Sequence, residues 1–261
     1  MDTAPSVEEL FTVPGKRAVV VGAGRGIGRA VAALLARAGA TVVAADIDPG
    51  NAAATAQAIT ADGGEAYAVA VDVADPGSVT ALGDQVAERC GGLDILVNTA
   101  AIFRLAAFLE ATPQMWDDTY QVNLRGMFLT TQMAVRLMRA GGGGSIVNFS
   151  SVASQKPGLL DQAHYDAEKA GVSAMSRAAA AEFAGDGIRV NTVVPGAVMT
   201  EGAADYSGRE NRGPITQPGR ILLNRYGKPV DMAATVLFLV SPAGSFITGQ
   251  DIVGDGGFLL S

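Results

Sequence analysis

Apolar residues recur along the chain in two alternating registers. Residues 17–21 and 41–45 are short, nearly continuous apolar runs, and residues 27–38 between them carry apolar positions at helical spacing, which predicts strand, helix, strand. The alternation continues with a predicted helix over 52–61, a strand over 66–71, a helix over 79–89 and a strand over 93–97. One long helical segment is predicted over 113–138, then a strand at 145–149, a helix at 164–183, a strand at 189–193, a helix at 231–239 and a last strand at 251–253. Strands that are apolar on both faces and separated by helices imply an α/β fold, a doubly wound parallel sheet covered on both sides. Residues 1–261 read as a single domain, with 1–13 as an irregular leader and 201–225 as a polar, glycine- and proline-bearing stretch of the kind that forms substrate lids. Gly141 to Gly144 reads as a helix C-terminus running into a tight connection.

Composition narrows the class. A chain of 261 residues is long enough to bury roughly 70–75% of its unfolded surface. Hydrophobic residues make up 49% and charged residues 17%, with many alanines and glycines, which suits close helix-on-sheet packing and extensive subunit contact. A net charge of −7 and the absence of a basic stripe argue against a nucleic-acid partner. Cys90 is the one cysteine and His164 the one histidine, so neither an intrachain disulfide nor a zinc set is expected. Residues 1–10 are acidic and lack the basic and apolar regions of a signal peptide, and no uncharged apolar run reaches about 18 residues, so no membrane partner and a cytoplasmic location are expected.

The candidate chemistry lies in two places. Gly22-Ala23-Gly24-Arg25-Gly26-Ile27-Gly28 stands where a strand meets a helix, so helix N-terminal amides face the place where a pyrophosphate would lie. Asp46 ends the second predicted strand about 20 residues beyond the loop, where a carboxylate can bond the adenosine ribose hydroxyls, although a helix N-cap would look the same. A carboxylate there repels a ribose 2′-phosphate, so NAD(H) is favoured over NADP(H); Arg25 is the contrary signal. Farther on, Tyr165 and Lys169 are four residues apart and share a helix face. A free phenol titrates near ~10, and moving it to about 7.5 needs roughly 3.4 kcal/mol of preferential stabilisation of the phenolate. A nearby cation in a partly dry site can supply this, so Tyr165 is the candidate acid/base for an alcohol proton.

In order and spacing these motifs make the chain resemble the short-chain dehydrogenase/reductase family from about Pro14 to the C-terminus. Gly22-x-x-x-Gly26-Ile27-Gly28 is similar to that family's cofactor loop, Asp72-Val73 to its adenine-contacting pair, and Asn98-Thr99-Ala100-Ala101 to its Asn-Asn-Ala-Gly. Asn123 resembles the family's helix asparagine, Ser151 its substrate-polarising serine, and Tyr165 with Lys169 its acid/base pair. Pro195-Gly196, followed by Val198 and Thr200, resembles the segment that contacts the cofactor, and residues 247–257 its last strand. The resemblance implies a seven-stranded Rossmann-like sheet, a cofactor lined also by Ile47 after Asp46, and a homotetramer. It implies interconversion of a secondary alcohol and a ketone, with Lys169 holding the cofactor ribose, Ser151 bonding the oxyanion, and Asn123 holding a water in a proton path.

The chain departs from the pattern at Val21, at Thr99-Ala100-Ala101, and in the fourteen positions between Ser151 and Tyr165, which leaves Ser150 and Ser154 as rivals to Ser151. The alternatives in activity are an NADPH-dependent 3-oxoacyl-thioester reductase, against which Asp46 argues, and a catalytically idle dinucleotide-binding scaffold. His164 reads as a helix-start residue at the pocket rim, and Met115 and Trp116 as packing residues. Tyr206 fits either a lid or a surface position. Substrate contacts are expected from 102–108, 154–160 and 201–225, the last carrying Arg209, Arg212 and Arg220.

Overall fold

The computed structural model describes residues 4–201 and 213–261. After α1 (Val7–Phe11) the chain runs β1 (Arg17–Val21), α2 (Gly26–Arg37), β2 (Thr41–Asp46), α3 (Pro49–Ala61), β3 (Glu65–Ala70), α4 (Pro76–Cys90) and β4 (Ile95–Asn98). It continues through α5 (Pro113–Tyr120), a widened π turn (Gln121–Gly126), α6 (Met127–Gly141), β5 (Gly144–Phe149), α7 (Ala163–Phe183), β6 (Ile188–Pro195), α8 (Pro229–Val240) and β7 (Asp251–Gly254). The seven strands pair in parallel in the order β3-β2-β1-β4-β5-β6-β7. On one face Val31, Leu35, Val236 and Leu239 pack over Val20, Val42 and Val97; on the other Leu82, Val86, Met133 and Met138 pack over Val19, Leu96 and Ile146. Two buried faces explain why the strands are apolar at nearly every position. No helix among the described residues is long and apolar enough to cross a membrane.

The sheet order places the site. From β1 the chain builds outward to β2 and β3, then returns to set β4 on the other side of β1, so the crossovers diverge above the C-terminal ends of β1 and β4. Such a divergence opens the crevice in which α/β sheets bind ligands. The side chains below it form a buried polar ladder: Thr130 Oγ1 donates to Asn98 Oδ1, Asn98 Nδ2 to Asn148 Oδ1, and Asn148 Nδ2 to Ser176 Oγ, each at 2.9 Å. This ladder ties β4, β5, α6 and α7 together.

Three expectations need correction. The leader is not wholly irregular: Ser6 and Glu9 form a reciprocal capping box that starts α1, although none of its side chains is buried. The long helix over 113–138 is interrupted at Gln121–Gly126, where the turn widens and turns Asn123 fully inward. Helices α3 and α4 start earlier than their apolar periodicity indicates, because Asp48 and Asp75 each cap the first turn ahead of a proline, whereas α5 starts at Pro113 as expected, capped by Thr112. In the expected lid, Ile215 and Ile221 pack with Val152, Leu159 and Phe258; Tyr206, Arg209 and Arg212 lie outside the described residues.

Replacing Asn148 with alanine leaves the Asn98 amide and the Ser176 hydroxyl without their partners in a dry layer. The expected loss is about 2 kcal/mol or more, read by denaturant or thermal unfolding; a change below about 0.5 kcal/mol would mean that the ladder contributes nothing.

Candidate active site

The glycine loop is shaped by close approach. Gly22 adopts a left-handed φ of 82°, and a Cβ on Gly28 would stand 2.0 Å from the Gly22 carbonyl oxygen. A side chain at Gly28 would therefore drive α2 away from β1. Thr99, where the resemblance gives asparagine, donates its hydroxyl to the carbonyls of Val21 (2.8 Å) and Gly22 (3.2 Å), so the central loops are joined by a different residue from the family's. Ala100 abuts Gly22 from the β4 side. Asp46 accepts from the Gly24 amide at 2.8 Å and from the Asp48 amide at 3.0 Å, which fixes its carboxylate at the rim of the loop, with Ile47 exposed beside it.

The N-terminus of α2 already meets an anion. Glu201 Oε2 accepts from the Gly26 amide at 2.9 Å, and its other oxygen lies 3.2 Å from Arg29, whose guanidinium also donates to the Gly24 carbonyl. A carboxylate seated on that amide is a stand-in for a phosphate oxygen, so the loop fits a dinucleotide pyrophosphate. Arg25 is the α2 N-cap residue and is exposed, and Ile27 begins the packing of the helix on the core. The Pro195–Thr200 segment completes this wall: Gly196 lies against Asp255, Val198 bridges to Gly227, and Thr200 faces Gly26.

Two expected cofactor contacts point elsewhere through their side chains. Asn98 is turned down into the polar ladder, and Val73 is buried against Gly126, so each offers only its backbone to the crevice. Asp72 is exposed, with its carboxylate on the Ala74 amide.

Helix α7 and the loop after β5 bring the catalytic candidates together. Ser151 is the side-chain hydrogen-bond partner of Tyr165, and Phe103 stands edge-on to the Tyr165 ring with centroids 4.9 Å apart. The rivals to Ser151 are occupied: Ser150 donates to the Lys169 carbonyl at 2.7 Å, and Ser154 to the Ser151 carbonyl at 2.6 Å. Lys169 is buried and donates to the Phe149 carbonyl at 2.8 Å, with its ammonium 5.5 Å from the centre of the Tyr165 ring. Asn123 Oδ1 accepts from the Ile102 amide at 2.8 Å, and its Nδ2 donates to the Ile102 carbonyl at 2.9 Å, fastening the π turn to the loop beyond β4.

The electrostatics of the free protein correct the simple cation argument. Burial pushes the Tyr165 phenol up to about 12; the Ser151 hydrogen bond opposes this, and the charges of Asp166 and Glu168 add to it. Burial pulls the Lys169 ammonium down to about 8, opposed by Glu168. Desolvation acts against the charged form of both groups and is the largest influence on each.

Sequence reasoning missed Glu168, Arg29 and Glu201, and singled out Thr99 only as a departure from the family pattern. Glu168 is fully buried, and the signal for it was available: it shares a helix face with His164 and Val172, which are also buried.

The family model described as enoyl-(acyl carrier protein) reductase matches residues 22–259. D-threitol dehydrogenase of Mycolicibacterium smegmatis is 42% identical over 257 residues, which are 98% of this chain and 97% of that protein. The 3-oxoacyl-(acyl-carrier-protein) reductase of Thermotoga maritima is 39% identical over 94% of this chain and 98% of its own length. The crystal structure of a short-chain type dehydrogenase/reductase from Mycobacterium marinum superposes with a TM-score of 0.91 at 36% identity, covering 98% of this chain and 100% of that one. The chain belongs to the short-chain dehydrogenase/reductase family, and it is an oxidoreductase of the alcohol dehydrogenase/ketoreductase type.

The Lys169 shift fixes the sign of a pH effect. The folded protein holds this proton less tightly, at about 8, than the unfolded chain, for which the ordinary value is 10.5. Its contribution to stability therefore grows as pH rises from 8 towards 10.5 and is lost as pH falls through 8. Thermal melts of the wild type should gain on those of Lys169→Met across that window, whereas parallel curves would contradict the depressed value.

Proposed function

We propose that this chain is an NAD(H)-dependent dehydrogenase that interconverts a secondary alcohol and a ketone, with Tyr165 as the general acid/base. The observation that carries the reading is the meeting of Ser151, Tyr165 and Lys169 at the mouth of a crevice whose glycine loop fits a pyrophosphate. The bound dinucleotide supplies the hydride acceptor for alcohol oxidation and the hydride donor for ketone reduction. Residues 22–28 would hold its pyrophosphate, Asp46 its adenosine ribose, Lys169 its second ribose, and the 195–200 segment its nicotinamide end.

The proton chemistry belongs to the chain's own residues. Tyr165 Oη takes the hydroxyl proton of the alcohol, or returns it to the developing alkoxide in the reverse direction. Ser151 Oγ donates a hydrogen bond to the same substrate oxygen as it gains charge. Lys169, fixed from below by the Phe149 carbonyl, presents positive charge beside the phenol, and Asn123 keeps the π turn closed over the helix that carries both residues. Phe103 shields one edge of the phenol and leaves an apolar wall for the carbon skeleton of the substrate.

NAD(H) is preferred because the Asp46 carboxylate is fastened by two amides and cannot swing away from a 2′-phosphate. Solved relatives carry NADP, and the Thermotoga maritima relative supports the second reading, an NADPH-dependent 3-oxoacyl-thioester reductase. The D-threitol dehydrogenase relative makes small polyols the first substrates to try. A cytoplasmic homotetramer completes the reading, supported by the open edge of β7 with exposed Val253 and by exposed Phe128 on α6; light scattering reads the assembly directly.

Tyr165→Phe should lower kcat by about 100-fold or more while NADH still binds, and near-wild-type turnover would remove Tyr165 from the role. The wild type should favour NADH over NADPH in kcat/KM by about tenfold or more, equivalent to about 1.4 kcal/mol. A preference for NADPH would transfer the reading to the thioester reductase.

A further inference from the structure

Glu168 lies between the two catalytic residues in sequence but faces away from the crevice. Its carboxylate is buried, accepts from Asn123 Nδ2 at 2.7 Å through one oxygen, and accepts from Thr119 Oγ1 at 2.7 Å through the other. No ion pair involves it among the described residues. The groups that meet it from α5 and the π turn, Thr119 and Asn123, are uncharged; on its own helix the ionisable neighbours are His164, one turn back, together with Tyr165 and Lys169. Both of its partners are themselves buried, so the carboxylate is surrounded by donors that cannot be replaced by water.

We propose that Glu168 is a positioning residue for proton transfer, its buried carboxylate anchoring Asn123 against the β4 loop and standing one residue before Lys169 and three after Tyr165 on the same helix. The anchoring follows from the bonding pattern. Asn123 uses its amide nitrogen twice, on the Ile102 carbonyl and on Glu168, and its oxygen on the Ile102 amide, so α7, the π turn and the loop carrying Phe103 are joined through one side chain. The electrostatic part follows from the bonding: both oxygens accept hydrogen bonds, the arrangement that suits a carboxylate, and a negative charge at this place, unscreened by bulk water, acts at short range on the next ionisable groups of the helix. It favours the protonated form of the phenol and of the ammonium alike, in keeping with the sign of its effect on both. The proposal rests on the reading of Tyr165 as the acid/base, but its test does not need turnover.

The experiment is an ultraviolet titration of the free protein at the tyrosinate band, in which the spectrum of a Tyr165→Phe background is subtracted from its parent, for the wild type and for Glu168→Gln. The amide keeps an acceptor for Asn123 and a group able to meet Thr119 while removing the charge. In Glu168→Gln the Tyr165 signal should appear at lower pH than in the wild type, and in Thr119→Val, which keeps the charge and removes one hydrogen bond, it should stay where the wild type has it. Glu168→Asp should likewise keep the wild-type midpoint, since the charge is retained. Superimposed wild-type and Glu168→Gln curves would overturn the proposal, as would an equal shift in Thr119→Val. Should the glutamine variant not fold, Glu168→Ser, which removes the charge and leaves room for water beside Thr119 and Asn123, carries the same expectation. A Tyr165→Phe enzyme that still turns over would sink the acid/base reading instead, and leaves the titration result standing by itself.

Discussion

The site depends on one constraint, the withdrawal from water of Lys169 and of most of Tyr165 on a single helix. Tyr165 and Lys169 share a face of α7 above the C-terminal ends of the central strands, and desolvation is the largest influence on each. A phenol raised to about 12 and an ammonium lowered to about 8 have been moved apart in proton affinity, each towards its neutral form. This makes Tyr165 a firm proton holder in the free protein. The Ser151 hydrogen bond and any positive charge that enters the crevice then act in a medium where such charges have large effects.

Holding that pair in place requires buried polar structure, and the fold supplies two layers of it. Beneath the crevice, Asn98, Asn148, Thr130 and Ser176 join the strands to α6 and α7. Beside it, the π turn brings Asn123 inward to meet Ile102 and Glu168. A regular helix through Gln121–Gly126 would carry Asn123 round its axis and away from these partners, so the widened turn is the local irregularity that lets one side chain bind three segments.

Much of this was legible in the sequence because apolar runs and glycine positions report directly on strands and close approach. Gly28 stands against the Gly22 carbonyl, Asp46 ends β2, and Ser151 is the hydrogen-bond partner of Tyr165 while Ser150 and Ser154 donate to backbone carbonyls. What the sequence did not reveal depends on three-dimensional context. The π turn has no residue signature of its own, and the inward side chain of Asn98 depends on Asn148, fifty positions away. The direction of the Tyr165 shift was misjudged because burial, which no motif encodes, is its largest cause. The early starts of α3 and α4 could have been read from Asp48-Pro49 and Asp75-Pro76, where cap and proline stand side by side.

The central claim is that hydrogen leaves the carbinol carbon of a secondary alcohol as hydride while its hydroxyl proton passes to the protein. The most direct test gives the enzyme NAD with small secondary alcohols deuterated at that carbon, D-threitol first, and weighs the reduced cofactor by mass spectrometry. The expected result is one deuterium carried into the cofactor for each ketone formed. Oxidation that releases the deuterium to solvent, or no oxidation of any alcohol across a polyol, aliphatic and aromatic series, would contradict it.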